Sequence, residues 1–145
     1  MSNSSNKICI ASDHAGYNLK EFIKDFLVKK RVSTIDLGPY NSKSVDYPDY
    51  AKKVSRRIKS NKSNLGILIC GSGTGMAISA NKIKGIRAAV CYDLRSTRLS
   101  RQHNNANIIS LGARFTNKKI AVKLVSKFLD TEFEGGRHLK RVKKI

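Results

Sequence analysis

The densest chemical signal in the chain is Cys70-Gly-Ser-Gly-Thr-Gly75, directly after the apolar run Leu65–Cys70. Gly71, Gly73 and Gly75 let backbone N–H groups turn toward one point at the start of a helix. The dipoles there favour negative charge, so the segment reads as a site for a phosphate or a developing oxyanion. A P-loop would end in Gly-Lys-Ser/Thr, which is absent. A dinucleotide fingerprint would need glycine where Met76 stands, although Asp93 mimics its ribose-binding acid. A plain strand-to-helix turn would need one glycine rather than three.

Cys70 opens this turn. A thiol at a helix N-terminus, with Arg and Lys nearby, can lose its proton near neutrality and act as nucleophile or general base. Cys9 and Cys91 lie inside apolar runs and read as small core residues. Three cysteines without a C-x-x-C pair make neither a disulfide framework nor a zinc site, and fit a reducing compartment. His14, His103 and His138 show no metal-ligand spacing, so no metal is expected.

The elements that must hold these groups follow from hydrophobic periodicity. Lys7–Ala11, Val32–Leu37, Leu65–Cys70, Ile86–Cys91 and Asn107–Gly112 read as strands. Helical patterns run between them. Leu19, Phe22, Ile23, Phe26 and Leu27 share one helix face; residues 48–60, with Pro48 in the first turn, 74–83 and 94–104 follow. A last core helix carries Ile120, Leu124 and Phe128. Five strands alternating with helices predict a three-layer α/β/α sandwich on a five-stranded parallel sheet, of Rossmann or flavodoxin type, with a helical, basic C-terminal tail. Ligands in such sheets sit at the carboxyl ends of the strands.

The chain has 145 residues, 40% of them hydrophobic, which fits one domain over residues 7–145 after a polar, disordered tail at 1–6. No apolar run suits a membrane span or a signal peptide, so a cytoplasmic protein is expected. The net charge of +19 invites a nucleic-acid reading. The cations are spread over what read as polar helix faces (Lys20, Lys24, Lys52, Arg56, Lys123), without interleaved aromatics, so a solvated basic surface is expected and no nucleic-acid partner.

Eight motifs then stand in one order: Ser12-Asp-His-Ala-Gly16, Asp46-Tyr-Pro48, Cys70–Gly75, Asn81-Lys82, Gly85-Ile-Arg-Ala88, Ser100-Arg-Gln-His-Asn104, Leu111-Gly-Ala-Arg114 and Glu134-Gly-Gly-Arg-His138. Over residues 7–142 the chain resembles the type B ribose-5-phosphate isomerase family, which includes the galactose-6-phosphate isomerase subunits. The resemblance implies a cofactor-free aldose–ketose isomerase acting on ribose 5-phosphate and ribulose 5-phosphate through a cis-enediolate. It implies Cys70 as the base at C2, with no acid between Cys70 and Asp93 to replace it. The amides of Gly71, Gly73, Thr74 and Gly75 form the anion hole, assisted by the Ser72 hydroxyl. His103 opens the furanose ring. Asp13, Tyr47 and Asn104 meet sugar oxygens, and His14, Arg114, Arg137 and Arg141 bind the phosphate. Some of these come from a neighbouring subunit, so a homodimer or dimer of dimers with shared sites is implied. A nucleotide-binding α/β domain, a charge-driven nucleic-acid binder and a hexose 6-phosphate isomerase are the competing readings.

Overall fold

A computed structural model describes residues 7–61 and 64–145; the tail expected over 1–6 lies outside them. The apolar runs form a five-stranded parallel sheet. Its middle is β1 (Ile8–Ser12), β3 (Leu65–Cys70) and β5 (Ile108–Gly112), and its edges are β2 (Thr34–Asp36) and β4 (Ala88–Val90). The strand order is β2-β1-β3-β5-β4. The flavodoxin order would end β3-β4-β5; here the last strand enters between β3 and β4.

Alternation along the strands divides the core. Ile10, Ile67, Ile69, Ile109 and Leu111 point to one face. There they meet Ile23 and Leu27 of α1 (Tyr17–Lys29) and Leu124 and Phe128 of α5 (Lys118–Asp130). Cys9, Ala11, Leu68, Cys70 and Ile108 point to the other. They pack on Val54 and Ile58 of α2 (Tyr47–Ser60) and on Met76 and Ala80 of α3 (Thr74–Asn81). The middle strands are apolar on both faces because both are covered. α4 (Leu94–Gln102) lies beside α5 and runs back toward the amino ends of the strands.

The edge strands are shorter than the apolar runs predict. Arg31 has a φ of 59°, and the Val32 amide is spent on Leu27 O, so β2 starts only at Thr34. The Arg87 amide donates to Asn107 Oδ1 (2.8 Å) rather than to a strand, so β4 starts at Ala88. The basic tail forms a short helix, α6 (Arg137–Val142), after Gly135 and Gly136, whose φ values of 68° and 53° break the preceding segment.

One expectation fails instructively. Lys20 is not on a solvated face; it is fully buried. Its ammonium donates to Asp36 (2.8 and 3.0 Å) and Glu21 (2.9 Å), and Lys24 adds a 2.7 Å ion pair to Asp36. Asp36 also accepts the Gly38 amide (2.8 Å), which ties the end of β2 to α1. Burial pushes the Asp36 carboxyl up, but the hydrogen bonds from Lys20, Lys24 and Gly38 outweigh it and hold it below the ordinary range.

This network makes a test of fold energetics. Asp36→Asn should cost about 1–3 kcal/mol in urea unfolding at pH 7, because it leaves the buried Lys20 ammonium with the half-exposed Glu21 as its one charged partner among the described residues. The Lys20→Met/Asp36→Leu pair should recover most of that loss, since no buried charge is left over. With its folded pKa depressed, Asp36 contributes stability that is complete above the ordinary carboxylate pKa of about 3.9 and is lost as pH falls toward the folded value. Wild type should therefore lose more stability than Asp36→Asn between pH 5 and pH 3 (about the range that brackets that pKa).

Candidate active site

β3 ends at Cys70, and the chain turns into α3 over three residues, Gly71, Ser72 and Gly73. Gly73 closes the turn in the left-handed region (φ 83°), which a side chain would strain. Ser110 on the adjacent β5 donates to Gly73 O (2.6 Å), and the Tyr92 hydroxyl donates to Ser72 O (2.5 Å). The turn is thus held from two sides.

Two of its amides have side-chain acceptors within the turn. The Gly73 N–H donates to Cys70 Sγ (3.2 Å), and the Thr74 N–H donates to Ser72 Oγ (3.2 Å). No side chain caps α3, so the amides of Gly75 and Met76 have no acceptor within the helix. Cys70 is buried, and its sulfur faces α2 and α3. Cys9 and Cys91 are buried in the two core layers, and burial pushes both thiols up.

A cleft of about 460 Å³ opens over this turn. Asp13, Tyr47, Cys70, Gly71, Ser72, Gly75 and Arg114 line it, joined by Phe115, to which the sequence assigned no role. Asp13 Oδ1 accepts the Gly16 amide (3.0 Å), which fixes the carboxylate at the end of β1. His14 is exposed beside it; its Nδ1 accepts the Val45 amide (3.2 Å), which docks the loop leading to Tyr47. A Cβ on Gly75 would lie 2.6 Å from the Tyr47 ring, so this glycine lets Tyr47 pack closely over the start of α3. A Cβ on Gly71 would lie 2.8 Å from Arg114 Nη1, so the guanidinium rests directly on the turn. Tyr92 packs edge-on against Phe115, with centroids 5.9 Å apart.

The remaining predicted residues form a second group. His103 caps the C-terminus of α4, Asn104 follows it, and Arg137 and Arg141 are exposed on α6. None of the four lines the Cys70 cleft. The topology explains why. Cys70 aligns with Gly112 at the carboxyl end of β5, whereas His103 lies just before Ile108 at its amino end. β5 spans about 13 Å at a rise of roughly 3.3 Å per residue. Within one chain the two groups face opposite ends of the sheet.

The second group is itself ordered. The Glu134 amide donates to Gln102 O (3.1 Å), which seats the segment before α6 on the end of α4. The rings of His103 and His138 stack with centroids 4.2 Å apart and 16° between planes. Glu134 Oε1 is 3.9 Å from His103 Nε2 and 3.6 Å from His138 Nε2. Burial, then His103 and Arg137, push the His138 imidazole below its usual pKa, while Glu134 acts against them. This trio is the one group among the described residues that could hold a metal ion. Sequence spacing missed the trio because His103 joins the other two only through the fold. Ser110 and Tyr92 were missed because nothing local marks a hydroxyl aimed at a distant carbonyl.

No described helix is long and apolar enough to cross a membrane. The sequence model of the family described as Ribose/Galactose Isomerase matches residues 8–145. A putative sugar phosphate isomerase of Rickettsia bellii is 49% identical over 138 residues, 95% of this chain and 96% of that protein. Ribose-5-phosphate isomerase B of Escherichia coli is 43% identical over 139 residues, 96% and 93% of the two chains. The structure of ribose-5-phosphate isomerase B from Thermotoga maritima superposes with a TM-score of 0.93 at 51% identity, covering 95% of each chain. That of Mycoplasma genitalium, solved with bound ribulose-5-phosphate, gives 0.94 at 44% identity, covering 98% of this chain and 95% of that one. With its sheet, its glycine turn and its family match all in agreement, the chain belongs to the ribose/galactose isomerase family and is an isomerase.

Proposed function

We propose that the chain interconverts D-ribose 5-phosphate and D-ribulose 5-phosphate through a cis-enediolate. The carrying observation is the Cys70 sulfur set against the Gly73 amide at the mouth of an uncapped helix, in a chain 44% identical to a relative that holds ribulose-5-phosphate. His103 moves the protons that open the furanose: it takes one from the anomeric hydroxyl and returns one to the ring oxygen. Cys70 as thiolate takes the C2 proton and delivers it to C1, while the proton of the C2 hydroxyl passes to O1, so the carbonyl moves from C1 to C2. Between these steps the enediolate oxygen lies against the open amides of the turn, with the Ser72 hydroxyl beside it. Protons alone are transferred, so the cycle balances without a redox cofactor. His14 and Arg114 hold the phosphate from the cleft side, and Arg137 and Arg141 from the other, where two guanidinium forks suit a dianion.

Such a site needs both groups of residues, and one chain keeps them at opposite ends of its sheet. We infer that a second copy supplies His103, Asn104, Arg137 and Arg141 to the Cys70 cleft, in a two-fold dimer with two equivalent composite sites.

Three measurements test this reading. Cys70→Ala should lose at least ~10²-fold in kcat, the scale of a positioned base, while Cys9→Ala and Cys91→Ala alter stability alone. Wild-type turnover in Cys70→Ala, or turnover on galactose 6-phosphate without turnover on ribose 5-phosphate, contradicts the assignment.

His103→Ala should lose conversion of ribose 5-phosphate yet still exchange the C1 proton of ribulose 5-phosphate with D₂O. That ketose cannot close a furanose ring through its phosphorylated oxygen, so exchange bypasses ring opening. Equal losses in both assays would remove His103 from the ring-opening role.

Co-expression separates the two groups. Cys70→Ala mixed with Arg141→Ala, or with His103→Ala, should restore about a quarter of wild-type sites, because half the dimers are mixed and each keeps one intact site. His103→Ala mixed with Arg141→Ala should restore none. Mixed dimers without recovered activity in the first two pairings show that each chain uses its own residues.

A further inference from the structure

A second cavity, of about 520 Å³, lies at the amino end of the sheet, remote from Cys70. Leu65 opens β3 there, Arg87 precedes β4, and Asn107 precedes β5. Four cations line it (Lys59, Lys84, Arg87 and Arg101), and no carboxylate among the described residues does.

The two arginines are built into the fold. Arg87 Nε donates to Asn105 O (2.8 Å). Arg101 Nε donates to Thr131 O (3.0 Å), and its Nη1 to Ala106 O (2.6 Å) and Asn105 Oδ1 (3.1 Å). These partners are neutral. They fix each guanidinium without cancelling its charge, and neither arginine is in an ion pair among the described residues. The Nη2 donors of both make no hydrogen bond among the described residues. Burial pushes both guanidiniums below their usual pKa, and Arg87 adds to the effect at Arg101, while the more distant Glu132 opposes it without forming an ion pair. Two half-buried like charges with donors to spare and no ion-paired carboxylate among the described residues are an arrangement that a bound anion would relieve. Lys59 on α2 and Lys84 before β4 are exposed on the rim, with room to swing onto such a ligand.

We propose that this cavity binds a compact phosphate polyanion, a diphosphate group either free or carried by a nucleotide, with Arg87 and Arg101 as its floor and Lys59 and Lys84 as its rim. A single phosphate would leave half of the four cations unpaired. A diphosphate matches their number, and a concave wall favours a small ligand over a polymer surface.

The test is calorimetric titration with inorganic diphosphate at fixed ionic strength. Wild type should bind one equivalent per chain more than Lys59→Glu/Lys84→Glu, or bind it at least ~10-fold more tightly, a difference of about 1.4 kcal/mol. The charge-reversed variant should keep wild-type isomerase activity, which certifies its fold. In the unaltered protein, diphosphate should shift the Nε–H resonances of Arg87 and Arg101. ADP with the same dependence on the two lysines would show that the nucleotide-borne group is accepted as well. Identical titrations of the two proteins, or unmoved arginine resonances at saturation, overturn the proposal. So does duplex RNA binding through these lysines without diphosphate binding.

Discussion

The rest of the molecule depends on the direction in which the chain leaves β3. From β1 and β5 it departs toward the layer of α1 and α5; from β3 it departs toward the layer of α2 and α3. The carboxyl end of β3 is therefore flanked by divergent connections on both sides. A sheet opens a crevice wherever neighbouring connections diverge, and Cys70 stands where two such divergences meet. The glycines, the left-handed turn at Gly73 and the hydroxyls of Ser110 and Tyr92 are consequences: they let the backbone reverse there without filling the opening.

The same topology keeps a second cluster of polar side chains away from that opening. β4 lies outside β5, so the connection between them must return to the amino end of the sheet. His103 rides on that return, and Glu134 and His138 are docked against it. The fold thus places the His103, Glu134 and His138 group at the end of the sheet opposite Cys70. Electrostatics follows the same division, with Arg114 at the cleft and Arg137 and Arg141 on the opposite side.

Apolar runs, periodicity and the glycine spacing made the layers, the strand count and the tight turn after β3 legible from residues alone, because each depends on near neighbours in sequence. The strand order was not legible. The run Asn107–Gly112 looks the same whether it pairs with β3 or stands at an edge, and only Gly66↔Ile108 to Cys70↔Gly112 pairing decides it. Lys20 misled for a related reason. Helical spacing gives its direction but not the presence of Asp36 beneath it, sixteen residues away. The place of His103 was not legible either, since its distance from Cys70 is set by that same strand order.

The late position of β5 in the chain also bears on synthesis. β1, β2 and β3 can pair once residue 70 has emerged from a ribosome, but β4 bonds to β5 and to no other strand. Until residues 108–112 appear, one edge of β3 and both edges of β4 carry unmatched backbone groups and apolar side chains, the kind of surface that recruits neighbouring chains. The strand that completes the sheet arrives after about three-quarters of the chain. A pause in translation before residues 108–112 have emerged would prolong the exposed state.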